Sequence, residues 1–556
     1  MASTAARGDL TSNPIAAEQR FYILIVMVFL FVGLIGHDPW KADEAYVFGM
    51  IQHLLDTGEW VVPMVGGEPF MEKPPLYYWV AALFAKCLAG VLPVHDGARV
   101  ASGFFTLITC IAVSSTGRLW FGKGEGRYAA LVLIASLGVL VQTHSMMPDI
   151  PLLSGFAVSA WGFAYILSRP LKGGLLLGVG VGIGFMAKGV LAPAVIGVTA
   201  VLLPLCFRAW RTREYVRGVL TAFLASTPWL LIWPIALYLR SPELFIEWFW
   251  MNNVGRFLGF SVHLLGAEHI PWFWSKTIPW YTFPALPLAL YALWLKRRSM
   301  LHEPVMQYCV VSFAVLMLVL GISSSGRCVY GLPLMVPLAI AGSTVATALP
   351  KWADDVWVSA SLLLFGVLSL AIWGGWIIMM TTGAPPAWPF LLRYLPDSFA
   401  PTFDADDCVL AGVISAGAIW VLVKLWRAPA RGLITWVVGI TLIWSLLMTL
   451  WLPWLDFSKT YRDVFTSMPL PKQMKCIATI GLGESERAML RYFTGHFPVR
   501  REIHPTADCD VLLIQGYWQS GVDRIDLKGW DPIWQGARPG DTNQKFWLYV
   551  AEHGQR

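Results

Sequence analysis

Long apolar runs alternate with short polar stretches along most of this chain. Most runs approach the roughly 20 residues that an α-helix needs to cross a bilayer. The apolar segments are 21–37, 76–92, 98–117, 128–144, 150–168, 173–188, 190–207, 218–239, 278–295, 304–321, 330–349, 356–380, 408–425 and 432–453. The pattern predicts a polytopic α-helical membrane protein. No small-residue cleavage site follows the first segment, so we expect it to be a retained span.

The composition strengthens this prediction. Hydrophobic residues make up 56% of the 556 positions and charged residues only 14%, whereas soluble proteins carry about 25% charged residues. The net charge of +6 does not indicate nucleic-acid binding, because the basic residues fall in short loops between apolar segments. We therefore expect the lipid bilayer, and no nucleic acid, as a partner.

The basic loops predict the orientation, because short loops rich in Lys and Arg remain in the cytoplasm. All of them fall inside if segment 76–92 lies in the outer interface instead of spanning. This gives about thirteen spans, a cytoplasmic N-terminus and an outer C-terminus. The basic loops are GRLWFGKGEGR (117–127), SRPLKGG (168–174), FRAWRTREYVR (207–217), KRRSM (296–300) and KLWRAPAR (424–431).

Two regions are predicted to lie outside the membrane. Residues 38–97 form a large first outer loop of juxtamembrane helices within a membrane domain of residues 1–454. Residues 455–556 are charged, with short alternating apolar runs, and predict a small outer α/β domain. Cys476 and Cys509 each begin a predicted strand there. The sequence allows two alternatives for these cysteines: a disulfide between them, or two separate buried thiols.

Isolated charges gather in the outer loops, where ionisable groups near bilayer depth are usually functional. Each also has a simpler interpretation. Asp43 can cap the helix predicted over 43–57, with Glu44 in its first turn. Lys73 can be a lysine that extends to the interface beside Tyr77 and Trp79. The outer charges are Asp43, Glu44, Lys73, Asp149, Arg256 and Arg327.

A family resemblance favours the functional interpretation of these charges over the simpler one. The stretch DEAYVFGMIQHLLDTGEWVVPMVGGEPFMEKPPLYYW (43–79) resembles the first outer loop of the bacterial lipid A aminoarabinose transferases. With the protein O-mannosyltransferases, these form a group of membrane glycosyltransferases of the GT-C fold that use polyprenyl-phosphate sugars. The resemblance implies transfer of a sugar from an undecaprenyl-phosphate donor to a glycolipid or glycan acceptor at the periplasmic face of the bacterial inner membrane, with lipid A favoured and inversion of the anomeric centre expected.

The resemblance also implies residue roles. Asp43 is similar to the acid at the family's reacting centre, Glu44 is its neighbour, and Asp149 in MMPDIP is similar to a second outer acid. Lys73 is similar to a ligand of the lipid phosphate. The other implied phosphate-binding residues are Lys188 in FMAKGVLAP, Arg256 in MNNVGRFLGF, and Arg327 and Tyr330 in GRCVYGLPLM.

The chain departs from the family pattern at several positions. Asn253 replaces a histidine, Tyr46 replaces the usual arginine after DEA, and MMPD replaces R-M-D. Because the family's metal, where present, uses such a histidine, a divalent metal is left open. His263 and His269 lie nearby, but lone loop histidines are more often surface residues than ligands.

Other function classes fit the residues less well. A transporter or flippase normally has internal repeats and a midplane site, which the sequence does not display. A protein O-glycosyltransferase of the same fold remains the main alternative. A structural assembly protein leaves the clustered outer acids unexplained.

Overall fold

The architecture is that of a computed structural model, which describes residues 14–261, 270, 272–299, 302–322, 326–388, 391, 399–517, 525–541 and 543–551. The helices are α1 (Pro14–Phe31), α2 (Asp43–Thr57), α3 (Leu76–Cys87), α4 (Val94–Glu125), α5 (Tyr128–Ala135), α6 (Leu137–Gln142), α7 (Asp149–Ile166), α8 (Pro170–Lys188), α9 (Leu191–Cys206), α10 (Arg213–Arg240), α11 (Pro242–Ile246), α12 (Arg256–Leu258), α13 (Phe273–Tyr281), α14 (Ala285–Leu295), α15 (Pro304–Ile322), α16 (Met335–Ser343), α17 (Lys351–Thr382), α18 (Ala405–Lys424), α19 (Arg431–Leu450), α20 (Leu452–Lys459), α21 (Arg462–Thr466) and α22 (Glu484–Thr494). A π-helix covers Glu247–Gly255, and 3₁₀-helices cover Arg208–Trp210 and Cys328–Leu334.

Apolar helices form most of the molecule. Among the described residues, 8 helices are long and apolar enough to cross a membrane, or up to 9 if α13 and α14, bent by 88°, form one span. Every predicted span contains helix, although some helices, such as α9, are shorter than this criterion requires. The 12-residue helix α3 measures about 18 Å. It is too short to cross a bilayer core of about 30 Å, as predicted for segment 76–92.

The first helix ends earlier than predicted. Segment 21–37 was expected to be helical throughout, but α1 ends at Phe31. Gly33 (φ 80°) and Gly36 (φ 95°) follow in left-handed conformations that L-residues with side chains avoid. The chain therefore turns beneath the outer loop before α2 begins.

Helices α7, α8 and α10 pack closely through glycines. A Cβ atom on Gly155 would lie 2.7 Å from the backbone oxygen of Gly180, and one on Gly178 would lie 2.5 Å from that of Ala222. Small residues at such crossings let helix backbones approach within a membrane. The antiparallel pair α7 and α8 brings Asp149, where α7 starts, close to Lys188, where α8 ends.

The C-terminal unit contains a five-stranded mixed sheet in the order β4-β3-β5-β7-β6. β3 is parallel to β4 and β5, with Ile477 opposite Pro498 and Val511, while β7 is antiparallel to β5 and β6. A disulfide joins Cys476 and Cys509, whose Cα atoms are 4.8 Å apart. The strands are β3 (Ile477–Ile480), β4 (Pro498–Arg500), β5 (Val511–Tyr517), β6 (Trp530–Gly536) and β7 (Gln544–Ala551); β1 (Met64–Val65) and β2 (Glu68–Pro69) pair separately in the outer loop.

The C-terminal unit is docked on the outer loop through α22. A Cβ atom on Gly49 of α2 would lie 2.4 Å from the Cβ of Ala488, so the two helices are in close contact. Arg491 pairs with Asp56 at 2.6 Å. The Ser485 hydroxyl donates to the carbonyl of Ala42 at 2.7 Å. This last contact fixes the backbone directly before Asp43, where α2 begins.

Candidate functional site

Asp43 is the first residue of α2, but its carboxylate does not act as a helix cap. The N-cap position belongs to Ala42, which has no capping side chain. The Asp43 carboxylate instead pairs with the Arg327 guanidinium and accepts a hydrogen bond from the Tyr46 hydroxyl at 3.0 Å. Burial alone would raise the pKa of Asp43, but Arg327 and Lys73 hold it below its usual value. The acid is therefore ionised beside an exposed cation.

Lys73 lies close to these charged groups, and 7% of its surface is exposed. Its Nζ donates to the Tyr46 hydroxyl at 3.0 Å, so Tyr46 connects Lys73 to Asp43. Burial alone would lower the pKa of Lys73. The Tyr46 hydroxyl and the carboxylates of Asp149 and Glu72 nevertheless hold it well above its usual value. The surroundings of Lys73 thus favour its protonated, positively charged form.

Asp149 and Lys188 form a second acid–base pair at the adjoining ends of α7 and α8. The Lys188 ammonium also lies over the Tyr330 ring, 4.0 Å from its centroid, a cation–π contact. Tyr330 belongs to the 3₁₀-helix that follows Arg327, and the Arg327 guanidinium lies 6.0 Å from the same ring. Tyr330 thus lies between two cations of the cluster.

Glu72 and Arg256 form a third pair, with 3.1 Å between Oε1 and Nη2. Arg256 follows the π-helix, a rare conformation that is frequent at functional sites. Asn253 of that helix accepts from the Val190 backbone N–H at 3.2 Å and donates to the Trp248 carbonyl at 2.8 Å. The residue at the family's histidine position therefore ties the π-helix to the α8–α9 turn.

Glu44 does not join the cluster. Its Oε1 accepts from Arg99 Nε at 2.7 Å and from the Met146 backbone N–H at 3.2 Å, and its Oε2 accepts from the Trp40 backbone N–H at 3.1 Å. Burial would raise the pKa of Glu44, but Arg99 holds it below its usual value. Sequence reasoning grouped Glu44 with the catalytic acids, whereas its contacts here are those of a buried scaffold residue.

Sequence reasoning also passed over Tyr46 as a site residue. It was noted as a departure from the family pattern, but it bridges Lys73 and Asp43 in the structure. Its spacing three residues after Asp43 on one helix is the signal that could have found it, because such residues share a face.

The three pairs and Lys73 carry an excess of positive charge. Four cations face three carboxylates, which gives a net charge of +1. Basic groups held in a fixed arrangement can stabilise a phosphate through charge-assisted hydrogen bonds. The members are Asp43, Glu72, Lys73, Asp149, Lys188, Arg256 and Arg327; we call this set the outer charge cluster.

One cavity reaches the outer charge cluster at Asp43, and a separate groove lies between three helices. A cavity of about 210 Å³ reaches Asp43 and is also lined by Trp40, Lys41, Ser145 and Lys459. A groove of about 240 Å³ between α3, α8 and α10 is apolar, and we call it the apolar groove. Its lining residues are Trp79, Met186, Pro228, Trp229, Ile232 and Trp233.

A metal site is not evident in the part of the chain that the structure describes. Within it, no group of three or more His, Cys, Asp or Glu side chains is arranged to hold a metal ion. His263 and His269 lie outside the described residues.

Comparisons with known proteins identify relatives of this chain. Residues 72–233 match the family described as dolichyl-phosphate-mannose-protein mannosyltransferase. An undecaprenyl phosphate-alpha-4-amino-4-deoxy-L-arabinose arabinosyl transferase of Pseudomonas fluorescens is 28% identical over 349 residues, which cover 60% of this chain and 58% of that protein. A relative of the same description from Sodalis glossinidius is 29% identical over 57% of this chain and 56% of its own length. The matches thus span less than two thirds of either relative.

A solved structure shares the whole architecture. ArnT from Cupriavidus metallidurans, bound to undecaprenyl phosphate, superposes with a TM-score of 0.68 at 16% identity, covering 97% of this chain and 99% of ArnT. The likeness confirms the predicted fold of a polytopic helical GT-C protein with a small C-terminal α/β unit. The sequence matches confirm the predicted resemblance to the polyprenyl-phosphate membrane glycosyltransferases.

Proposed function

We propose, from the kinship of this chain with the undecaprenyl-phosphate aminoarabinose transferases, that it transfers a sugar from an undecaprenyl-phosphate donor to lipid A or another lipopolysaccharide component. The observation that carries the proposal is Lys73, a buried lysine that bonds the Tyr46 hydroxyl among three acid–base pairs. A buried charge is costly unless it is paired or has a function. An anionic donor phosphate beside Lys73 supplies that function.

The donor phosphate gains charge as it leaves, because the bond from the anomeric carbon to its oxygen breaks and the electron pair departs with undecaprenyl phosphate. Cations already in position stabilise this developing charge more than the ground state. Lys73 provides the central positive charge, while Arg256 and Arg327 offer guanidinium groups that can bind phosphate oxygens in a bidentate manner.

Asp43 acts on the acceptor. The acceptor oxygen bonds to the anomeric carbon as the donor bond breaks, and Asp43 takes the hydroxyl proton as general base. If the acceptor is an ionised phosphate, no proton moves and Asp43 orients the sugar. The depressed pKa of Asp43 keeps it in the ionised form that either role requires.

The donor's lipid tail has a route away from the outer charge cluster. The apolar groove includes Trp79, six residues after Lys73, and Met186, two residues before Lys188. An isoprenoid chain in this groove keeps its contacts apolar while the phosphate lies among the cations. Lys188 and Tyr330 then border the phosphate on the side of α8.

A single displacement inverts the anomeric centre, and we propose this course. Retention requires a carboxylate free to attack the opposite face of the sugar. The cluster has two acids besides Asp43: Glu72 is paired with Arg256, and Asp149 is 4% exposed and paired with Lys188. We therefore assign Asp149 to positioning Lys188, and Glu44, which bonds Arg99, to holding the start of α2.

We propose that the cluster faces the periplasm, with the N-terminus in the cytoplasm. The predicted basic loops support this orientation, and so does the Cys476–Cys509 disulfide, since such bonds persist in oxidising compartments. Reporter fusions after α4 and after β7 test it. A cytoplasmic signal at the C-terminus would reverse the assignment.

Mass spectrometry of envelope lipids tests the reaction. Cells that carry the wild-type chain are expected to accumulate lipid A-type species one sugar heavier than those of cells that lack it. With Lys73→Ala the initial rate of transfer is expected to fall about 100- to 1,000-fold, the usual effect of removing one preorganised charge-stabilising group.

Lys86→Ala is the matched control, because Lys86 is an exposed lysine in the last turn of α3. It is expected to leave transfer unchanged. Wild-type transfer by a folded, membrane-inserted Lys73→Ala chain would overturn the role of Lys73. Unchanged envelope lipids in the presence of the wild-type chain would overturn the proposal that the acceptor is a lipopolysaccharide component.

A protein O-glycosyltransferase is the second candidate, because the family description that matches residues 72–233 names a protein mannosyltransferase. The same cells distinguish the two. A sugar on Ser or Thr of envelope proteins, with unmodified lipid A, would favour this candidate.

A further inference from the structure

A second groove, distinct from the outer charge cluster, lies between α1, α4 and α5. It has a volume of about 300 Å³. One part is apolar, with Ile23, Val26 and Leu107 among its lining residues, and the other is polar, with Gln19, Ser114, Ser115, Arg118 and Arg127. We call it the α1–α4 groove. An apolar channel that ends at arginines has the chemistry of a lipid site with an anionic head.

Arg127 has hydrogen-bonding capacity that the described protein does not use. Its Nη2 pairs with Glu18 at 2.8 Å and donates to the Tyr128 hydroxyl at 3.0 Å. Its Nε and Nη1 are buried and have no hydrogen-bond partner among the described residues, although only 10% of the side chain is exposed. The guanidinium also lies beside the rings of Tyr22 and Tyr128, 5.5 Å and 5.0 Å from their centroids. The part of Arg127 that lines the groove presents a positive charge that an anionic group can complement.

Arg118 adds a second positive charge at the same end. It is exposed, and within the described part of the chain it forms no ion pair. With Arg127 and Glu18, the polar end carries two cations and one carboxylate, a net charge of +1. The groove thus favours one negative charge.

The groove lies far from Asp43. The first turn of α4 is next to the outer charge cluster, since Asp96 bonds Arg99, which bonds Glu44. Arg118 follows Asp96 by 22 residues along the same helix, a rise of about 33 Å. That is about one bilayer thickness, so the polar end of the groove lies at the opposite membrane face.

We propose that the α1–α4 groove binds an anionic glycerophospholipid from this opposite leaflet. Arg118 and Arg127 hold the phosphate, Gln19 and the two serines meet the polar glycerol region, and an acyl chain lies along Val26 and Leu107. The site is separate from the proposed transfer reaction and does not depend on it. Its occupancy would tie α1 to α4 and α5.

Native mass spectrometry of the purified full-length protein in detergent tests this site. Phosphatidylglycerol and phosphatidylethanolamine with identical acyl chains are offered at equal concentration. The wild type is expected to retain phosphatidylglycerol preferentially. Each arginine is expected to account for about a fivefold preference. Arg118→Gln combined with Arg127→Gln should therefore lower the preference by up to about 25-fold.

Arg213→Gln combined with Arg217→Gln is the charge-matched control. Both are exposed arginines in the first part of α10, outside the groove. This control should keep the wild-type preference. Ser115→Phe fills the groove without changing charge, so it tests the site even if the double variant of Arg118 and Arg127 fails to fold, and it should also weaken retention.

Three results would overturn the proposal. The first is a wild type without preference between the two lipids. The second is a folded double variant of Arg118 and Arg127, or a folded Ser115→Phe variant, with unchanged preference. The third is displacement of the retained lipid by undecaprenyl phosphate but not by added phosphatidylglycerol, which would assign the groove to a polyprenyl phosphate.

Discussion

Asp43 and Glu44 are neighbours in the sequence, but they belong to different electrostatic environments. Asp43 pairs with Arg327, a side chain that is 47% exposed, and shares the Tyr46 hydroxyl with Lys73. Glu44 is bonded to Arg99, which is fully buried, and to two backbone N–H groups. Both acids line the same cavity, but Asp43 is paired with a cation that solvent reaches, while the partners of Glu44 are buried or belong to the backbone.

Two neighbouring carboxylates can thus have separate roles, one functional and one structural. Glu44 accepts three hydrogen bonds from the protein, and Arg99 also pairs with Asp96 at 2.6 Å. A carboxylate engaged in this way has little capacity left for a substrate. Asp43 has partners that themselves suit an anion, so a donor phosphate can compete for them. Substitutions that change one acid at a time test whether the two roles are separate.

The largest effect is expected from Asp43→Asn. The amide keeps the shape but cannot accept a proton, and loss of a general base typically costs about 100- to 10,000-fold in rate. We expect turnover to fall by this amount, while binding of undecaprenyl phosphate and the thermal unfolding midpoint change little. Initial rates with reconstituted protein, together with lipid-binding measurements, check this.

Asp56→Asn serves as the control for Asp43→Asn, because Asp56 lies near the other end of α2 and pairs with Arg491. It should retain most of the transfer activity. Full turnover by Asp43→Asn would leave Asp43 as an electrostatic partner of Arg327 without a part in the chemistry.

Glu44→Gln is expected to act on stability instead of turnover. The substitution leaves Arg99 paired with Asp96 but removes its charged hydrogen bond to Glu44, at a cost on the order of 2 kcal/mol. The free energy of unfolding, followed by tryptophan fluorescence in detergent, should fall by this amount, while the rate per folded molecule remains near wild type. A stable but inactive Glu44→Gln chain would instead support the catalytic role that the sequence suggested.

The sequence predicted the apolar helical segments because apolar content is a local property, although 8 or 9 described helices, against about thirteen predicted spans, are long and apolar enough to cross a membrane. It predicted less about the acids, because adjacent helical residues point about 100° apart. Which direction faces a substrate depends on residues far along the chain. Arg99 and Met146 meet Glu44, whereas Arg327 meets Asp43. The early end of α1 also depends on tertiary contacts, since Gly33 packs against Met448 and Trp444.

Tyr46→Phe is expected to have a smaller effect on turnover, and it tests whether the hydroxyl couples Lys73 to Asp43. It removes the hydroxyl that joins Lys73 to Asp43 but keeps the ring that packs against Phe70. Because a hydrogen bond to a charged group contributes about 1.5 kcal/mol or more, turnover should fall about tenfold. Tyr77→Phe removes a buried hydroxyl bonded to Ser102, away from the cluster, and should not alter turnover beyond its effect on folding. Equal rates for Tyr46→Phe and wild type would mean that Lys73 and Asp43 act independently.

The smallest effect is a shift in pH dependence when Arg327 is replaced. Burial raises the pKa of Asp43, and Arg327 is the first of the groups that lower it. As a base, Asp43 works above its pKa, so activity is lost as the pH falls through that value. In Arg327→Gln the pKa of Asp43 should rise, because the charge that opposes the effect of burial is lost. The acidic limb of the kcat/KM profile should therefore move to higher pH. Arg327→Lys keeps the charge and should restore the limb toward its wild-type position. Weaker donor binding with an unmoved limb would show that Arg327 contacts the phosphate without controlling the base.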